Sequence, residues 1–197
     1  YYVCDNGWIQ QADSPRVDKG SKQSPMDGGV RTPIMFSWPG KLKPAIRTEL
    51  VQSIDLFPTV LSAANIEFPK NLPGLDLWDE LIEEKPIDRN IIYGESYGHD
   101  IIDKDNPEVS LAYLWCIEDD WKLILSYDGI IEGGNGGYNY IHDQVRAEPI
   151  RLYKIVEDPF EKNNLARENP EKVEELKQKI EFWYPLKERK VLASNIE

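Results

Sequence analysis

The stretch LAYLWCIEDDWKLILSY, residues 111–127, leaves the chain little structural freedom. Two runs dominated by leucine, isoleucine and aromatic residues, Leu111–Ile117 and Trp121–Tyr127, are separated by an acidic step at Asp119-Asp120. Short apolar runs bounded by turn residues read as strands, and two so closely spaced read as the arms of a hairpin. Asn90–Tyr93 and Ile150–Val156 add two further strand candidates. Between the hairpin and the last strand lies a glycine-rich loop, IEGGNGGYNYIHDQ. The final helix is signalled by Asn169 as cap, Pro170 at the first position and a stripe of Val173, Leu176, Ile180 and Trp183. The C-terminal half is therefore expected to be a small antiparallel sheet with one helix laid on it, without internal repeats.

The N-terminal half has a different pattern, that of the end of an α/β unit. Tyr1-Tyr2-Val3-Cys4 reads as a buried strand that runs directly into Asp5-Asn6-Gly7. A long polar stretch follows, GWIQQADSPRVDKGSKQSPMDGGVRTP, and a loop of that length inside a compact domain is more often functional than idle. Ile34–Trp38 reads as a short strand stopped by Pro39-Gly40. SIDLFPTVLSAANI reads as a helix with Asp55 as N-cap and Pro58 in the first turn, its apolar face formed by Phe57, Val60, Leu61 and Ala64. A proline-rich connector around LWDELIEE joins the halves. Both methionines, Met26 and Met35, are internal. A chain opening inside an apolar strand is expected to be part of something longer.

Charge narrows the function classes. With 23 Lys+Arg against 35 Asp+Glu the net charge is −12, which argues against sequence-independent binding of nucleic acid. It also gives no long-range attraction for an anionic substrate, so an anion site must rely on local cations. No apolar run approaches membrane-spanning length. Cys4 and Cys116 lie in apolar runs without a C-x-x-C pattern and read as two buried structural thiols.

Asp5 and Asn6 follow the C-terminal end of a strand, where open α/β sheets place their ligand sites. A carboxylate beside an amide carbonyl suits a hard divalent cation such as Ca²⁺ or Mg²⁺, though the same residues also make an ordinary turn. Lys22 supplies a point charge for an anion held by that metal, unless it is simply a solvated surface lysine. Gly28-Gly29 implies positive φ or close backbone approach. Arg31 reads as a structural ion-pair partner. His99, in IIYGESYGHD, is either a substrate contact or a loop histidine bonded to Glu95 or Asp100. Trp8 is placed to wall a pocket, whereas His142 has little in its surroundings to recommend it.

The ordered series resembles the sulfatase family: a strand ending in D-N-G, a polar loop with a lysine, G-G-V-R-T-P, W-P-G, then I-D-L-F-P-T-V-L. The tail agrees, since W-K-L-I followed by R-L-Y-K-I-V-E-D-P-F-E-K-N-N-L-A is similar to the family's C-terminal signature. The resemblance implies the C-terminal part of an alkaline-phosphatase-like α/β domain over residues 1–70, a connector over 71–89, and a small α+β subdomain over 90–197 with a four-stranded antiparallel sheet and a helix. It implies hydrolysis of sulfate esters by a calcium-dependent enzyme whose nucleophile is a formylglycine made from Cys or Ser. Asp5 and Asn6 match the pair that ligates calcium, Lys22 a lysine that contacts the sulfate, and His99 lies near a residue that touches the sugar or leaving group. The expected partners are a sulfated small molecule or glycan and the N-terminal part of the same enzyme. Most bacterial members are periplasmic or secreted.

Neither cysteine lies in a modification motif, because Cys4 precedes Asp-Asn-Gly and Cys116 precedes Ile-Glu-Asp. The nucleophile and the other calcium carboxylates are expected outside these residues, so the 197 residues alone are expected to be inactive and poorly soluble. A phosphate-ester or phosphonate hydrolase of the same superfamily, or a non-catalytic folded fragment, is the alternative.

Overall fold

The computed structural model describes residues 1–7, 24–97, 103–127 and 148–187. They divide into two compact units, one comprising Tyr1–Asp5 and Thr32–Ile92, the other Asn6–Arg31 and Tyr93–Glu197.

In the first unit, β1 (Tyr2–Val3) pairs antiparallel with β2 (Ile34–Met35), Tyr2 opposite Met35 and Val3 opposite Ile34. The opening strand was expected to be buried. Instead Tyr1 and Tyr2 are 70% and 54% exposed, and among the described residues that sheet has only the two strands. A 3₁₀ turn over Ser53–Asp55 leads into α2 (Leu56–Ala63), and α3 (Trp78–Glu83) follows, closed by Glu84 in the left-handed region at φ 57°.

Two expectations for α2 are corrected. Asp55 makes no side-chain cap to the helix. Its carboxylate accepts the N–H groups of Gln52 and Leu75, at 2.7 and 2.8 Å, and both terminal nitrogens of Arg89. The buried face is Leu56, Pro58 and Thr59, while Phe57 is 59% exposed and Val60 37%. The helix turns Thr59 inward because its hydroxyl accepts the Leu77 N–H at 2.9 Å and anchors the connector. Gly74 is required there, since a Cβ on it would stand 2.1 Å from the Ile54 carbonyl oxygen.

The second unit is built on a four-stranded sheet in the order β3-β4-β5-β6, formed by Ile91–Tyr97, Leu111–Glu118, Trp121–Ser126 and Ile150–Lys154. Glu118 faces Trp121 across the two-residue turn, where Asp119 takes φ 53°, a value aspartate tolerates better than most residues. The Asn164 side chain closes the β6 edge, accepting from Leu152 N at 3.0 Å and donating to Ile150 O at 3.1 Å. That edge would otherwise present unpaired backbone groups. The last helix, α4 (Pro170–Trp183), buries Leu176 and Ile180, and Trp183 stacks on Tyr93 at 5.0 Å. Asn169 precedes it but spends its amide on Leu165 O rather than on a cap.

A short helix, α1 (Asp27–Val30), occupies the stretch expected to be loop. Gly28 and Gly29 are therefore helical; of the two reasons considered for them, positive φ is not found, since among the described glycines only Gly40 has it, while Gly7 does approach the Gly28 backbone closely. Cys116 is buried and Cys4 half-buried, both as free thiols, and burial pushes the Cys116 thiol up to about 12. Among the described residues no helix is long and apolar enough to cross a membrane.

Candidate functional site

The turn after β1 is fixed on either side of the Asp5–Asn6 bond by separate contacts. Before it, Cys4 N donates to the Thr32 hydroxyl at 3.2 Å, and that hydroxyl lies 3.3 Å from the Cys4 carbonyl oxygen. Asp5 follows, with its side chain exposed. After it, Gly7 N donates to Gly29 O at 2.8 Å and so ties the turn to α1. The fit is close: a Cβ on Gly7 would lie 2.6 Å from Gly28 O and 2.7 Å from Arg31 O. The glycine of D-N-G is there for this backbone contact.

Asn6 donates its Nδ2 to Gly7 O at 2.8 Å. Only the amide nitrogen can make that bond, because the carbonyl accepts and does not donate. Oδ1 is the atom of that side chain with lone pairs a cation could use. With the Asp5 carboxylate, two consecutive residues present the oxygen chemistry that Ca²⁺ prefers. Two ligands fall short of the roughly six to eight that calcium takes. Among the described residues no group of three or more His, Cys, Asp or Glu side chains could hold a metal. Lys22, His99, Trp8 and His142 lie outside the described residues. Arg31 reaches Asp27 Oδ2 at 3.4 Å, but its side chain is 73% exposed, so that pair contributes little.

What the sequence did not reveal is a buried cluster beneath α1. Lys122 Nζ lies 2.9 Å from Asp27 Oδ1 and 2.9 Å from Glu161 Oε1. The three side chains are 0%, 7% and 2% exposed. Glu161 Oε2 accepts the Asp27 backbone N–H at 2.6 Å. Glu161 itself has φ 51°, an uncommon backbone state for a residue with a Cβ. Burial pushes its carboxyl up, against the pull of Lys122. The available signal was Lys122 itself, a charge amid the apolar run of β5, but its partners stand 95 and 39 residues away in the sequence.

The first unit holds an apolar groove of about 260 Å³, lined by Phe36, Trp38, Val60 and Trp78 among others and by no charged residue. It lacks the cations a sulfate ester needs.

The model of the family described as N-sulphoglucosamine sulphohydrolase, C-terminal, matches residues 21–133. An uncharacterized sulfatase, YdeN, of Escherichia coli (strain K12) is 28% identical over 187 residues, 89% of this chain and 33% of that protein. An N-acetylgalactosamine-6-O-sulfatase of Bacteroides thetaiotaomicron is 29% identical over 194 residues, 91% of this chain and 34% of that protein. A solved structure of a protein in complex with its substrate, D-glucosamine-2-N,6-O-disulfate, matches with TM-score 0.54 at 24% identity, over 80% of this chain and 29% of that one. The fold and these likenesses define the C-terminal portion of an alkaline-phosphatase-like sulfatase. Within that class, the chain belongs to the N-sulphoglucosamine sulphohydrolase C-terminal family. It spans about a third of the length of the curated relatives it matches.

Proposed function

We propose that this chain is the C-terminal part of a calcium-dependent sulfatase acting on a sulfated small molecule or glycan, with a sulfated amino sugar as the preferred substrate class. The division of labour follows the sequence: residues 1–70 complete the catalytic α/β domain, 71–89 connect, and 90–197 form the α+β subdomain. Asp5 and Asn6 supply two oxygens to the calcium ion, and Lys22 sets an ammonium group against the sulfate. His99 contacts the sugar or leaving group. When bound, calcium neutralises the sulfuryl oxygens as charge develops, and a formylglycine outside these residues supplies the nucleophile.

The observation that supports this reading is the Asn6 amide, whose Nδ2 donates to Gly7 O at 2.8 Å, which makes Oδ1 the atom that would meet a hard cation. The description of the matching family, N-sulphoglucosamine sulphohydrolase, and the name of one relative, an N-acetylgalactosamine-6-O-sulfatase, support the amino-sugar assignment.

The test is hydrolysis by the full-length protein of N-acetylgalactosamine 6-sulfate and glucosamine disulfate, beside matched phosphate monoesters and phosphonates. Sulfate release that stops on chelation and returns with calcium is expected. Hydrolysis of the phosphorus substrates with none of the sulfated ones would assign the enzyme to the other branch of the superfamily.

A further inference from the structure

Two carboxylates and an ammonium group buried together are a weak way to gain stability. Apolar residues of similar volume often do as well or better, because desolvation offsets most of the attraction. The cluster of Asp27, Lys122 and Glu161 is also anchored through a glutamate held in the left-handed region. Backbone conformations of that kind persist where the surroundings over-determine them, and they concentrate at functional sites.

The cluster's location shows what it holds. Lys122 belongs to β5, an inner strand paired on both sides. Asp27 is the first residue of α1, a four-residue helix whose preceding Met26 makes no side-chain cap. So short a helix cannot sustain itself, since nucleation is unfavourable and only packing repays it. Two bonds reach Asp27 from outside: Glu161 Oε2 takes its N–H at 2.6 Å, and Lys122 Nζ donates to its carboxylate at 2.9 Å. At its other end α1 takes the Gly7 N–H on Gly29 O, one residue from Asn6. Gly7 packs so tightly on Gly28 and Arg31 that α1 cannot shift without moving it. A continuous chain of contacts therefore runs from β5, through the buried cluster and α1, to Asn6.

We propose that Lys122, Asp27 and Glu161 are positioning residues for the metal site, holding α1 against the sheet so that Asn6 Oδ1 stays aimed at calcium. The inference rests on the functional reading above. None of the three touches the ion or the substrate. Sheet rigidity is delivered to the ligand turn through α1.

Glu161→Gly separates this role from simple stability. Glycine takes φ 51° without strain, which offsets part of the loss, and Lys122 keeps Asp27 as its counter-ion, but Asp27 N–H loses its acceptor. Glu161→Gln keeps an oxygen for that N–H and serves as the conservative rescue. Calcium is titrated into the full-length parent and variants by calorimetry, alongside apo melting temperatures. For Glu161→Gly the calcium Kd, measured at a temperature where the apo variant is still folded, is expected to weaken by about tenfold or more, the scale of outer-shell metal effects, with Glu161→Gln in between. A Kd within about twofold of the parent overturns the proposal. Asn6→Ala distinguishes the two levels of failure. If it weakens calcium binding while Glu161→Gly does not, only the positioning role falls. If Asn6→Ala leaves calcium affinity unchanged, the functional reading falls and this inference with it.

Discussion

Arg89 meets Asp55 through two parallel hydrogen bonds of 2.6 and 2.7 Å, with 10% and 1% of the two side chains exposed. The paired geometry matches a planar guanidinium to a carboxylate, which lysine cannot reproduce. Asp55 also takes the N–H groups of Gln52 and Leu75, so one carboxylate fastens three chain segments. Arg89→Met leaves that charge buried without its cation and is expected to cost about 3–5 kcal/mol. The shift in the urea midpoint measures it, and Arg89→Lys should recover only part of the loss.

Gly7→Ala tests the contact beneath the ligand turn. The added methyl would lie 2.6 Å from Gly28 O, inside any tolerated contact with backbone. A stability loss of about 1–3 kcal/mol is expected, as for other overpacked sites. Calcium affinity of the full-length protein should fall as well, because the displaced residue adjoins Asn6. A melting curve and a calcium titration on the same sample report both.

Glu49 sets a pH dependence in the first unit. Direct hydrogen bonds from Arg47 hold its carboxyl down to about 2, against burial, from an ordinary value of 4.5. A depressed folded pKa means that the unfolded chain takes up the proton first. The stabilisation is thus complete above the unfolded value of 4.5 and is lost as pH falls toward about 2. Denaturant midpoints of the parent and Glu49→Gln should differ most near neutral pH and converge at the acid end. A difference that is constant down to the acid limit would remove Glu49 as the cause.

Lys22→Ala should separate catalysis from folding. Removing a charge that stabilises the transition state typically lowers kcat by about a hundredfold or more. The same change on a lysine of the polar stretch should alter stability by less than about 0.5 kcal/mol. Steady-state kinetics and thermal melting of the full-length variant check the two halves. Unchanged kcat would place Lys22 outside the sulfate site.

The sequence was most legible where local pattern and tertiary need coincide. The Leu111–Tyr127 hairpin formed with its turn at Asp119-Asp120, and α4 buries Leu176 and Ile180 from its apolar stripe. It was least legible where distant partners override local preference. Asp55 reads as a helix cap, yet Arg89, 34 residues on, claims its carboxylate. The apolar face expected of α2 is turned outward because Thr59 must reach Leu77. Nothing in the sequence around Asp27 or Glu161 singles either out, and only folding brings them to Lys122. Asp5-Asn6-Gly7 was readable as a turn, whereas the contact of Gly7 with α1 is a backbone bond that no residue pattern announces.

Asp5 and Asn6 are proposed to grip calcium, and calorimetric titration of calcium into the full-length protein, Asp5→Ala and Asn6→Ala measures that grip. One tight site in the parent, weakened by at least about a hundredfold in either variant, is the expected result for removing a direct oxygen ligand. Parent-like calcium affinity in both variants would contradict it.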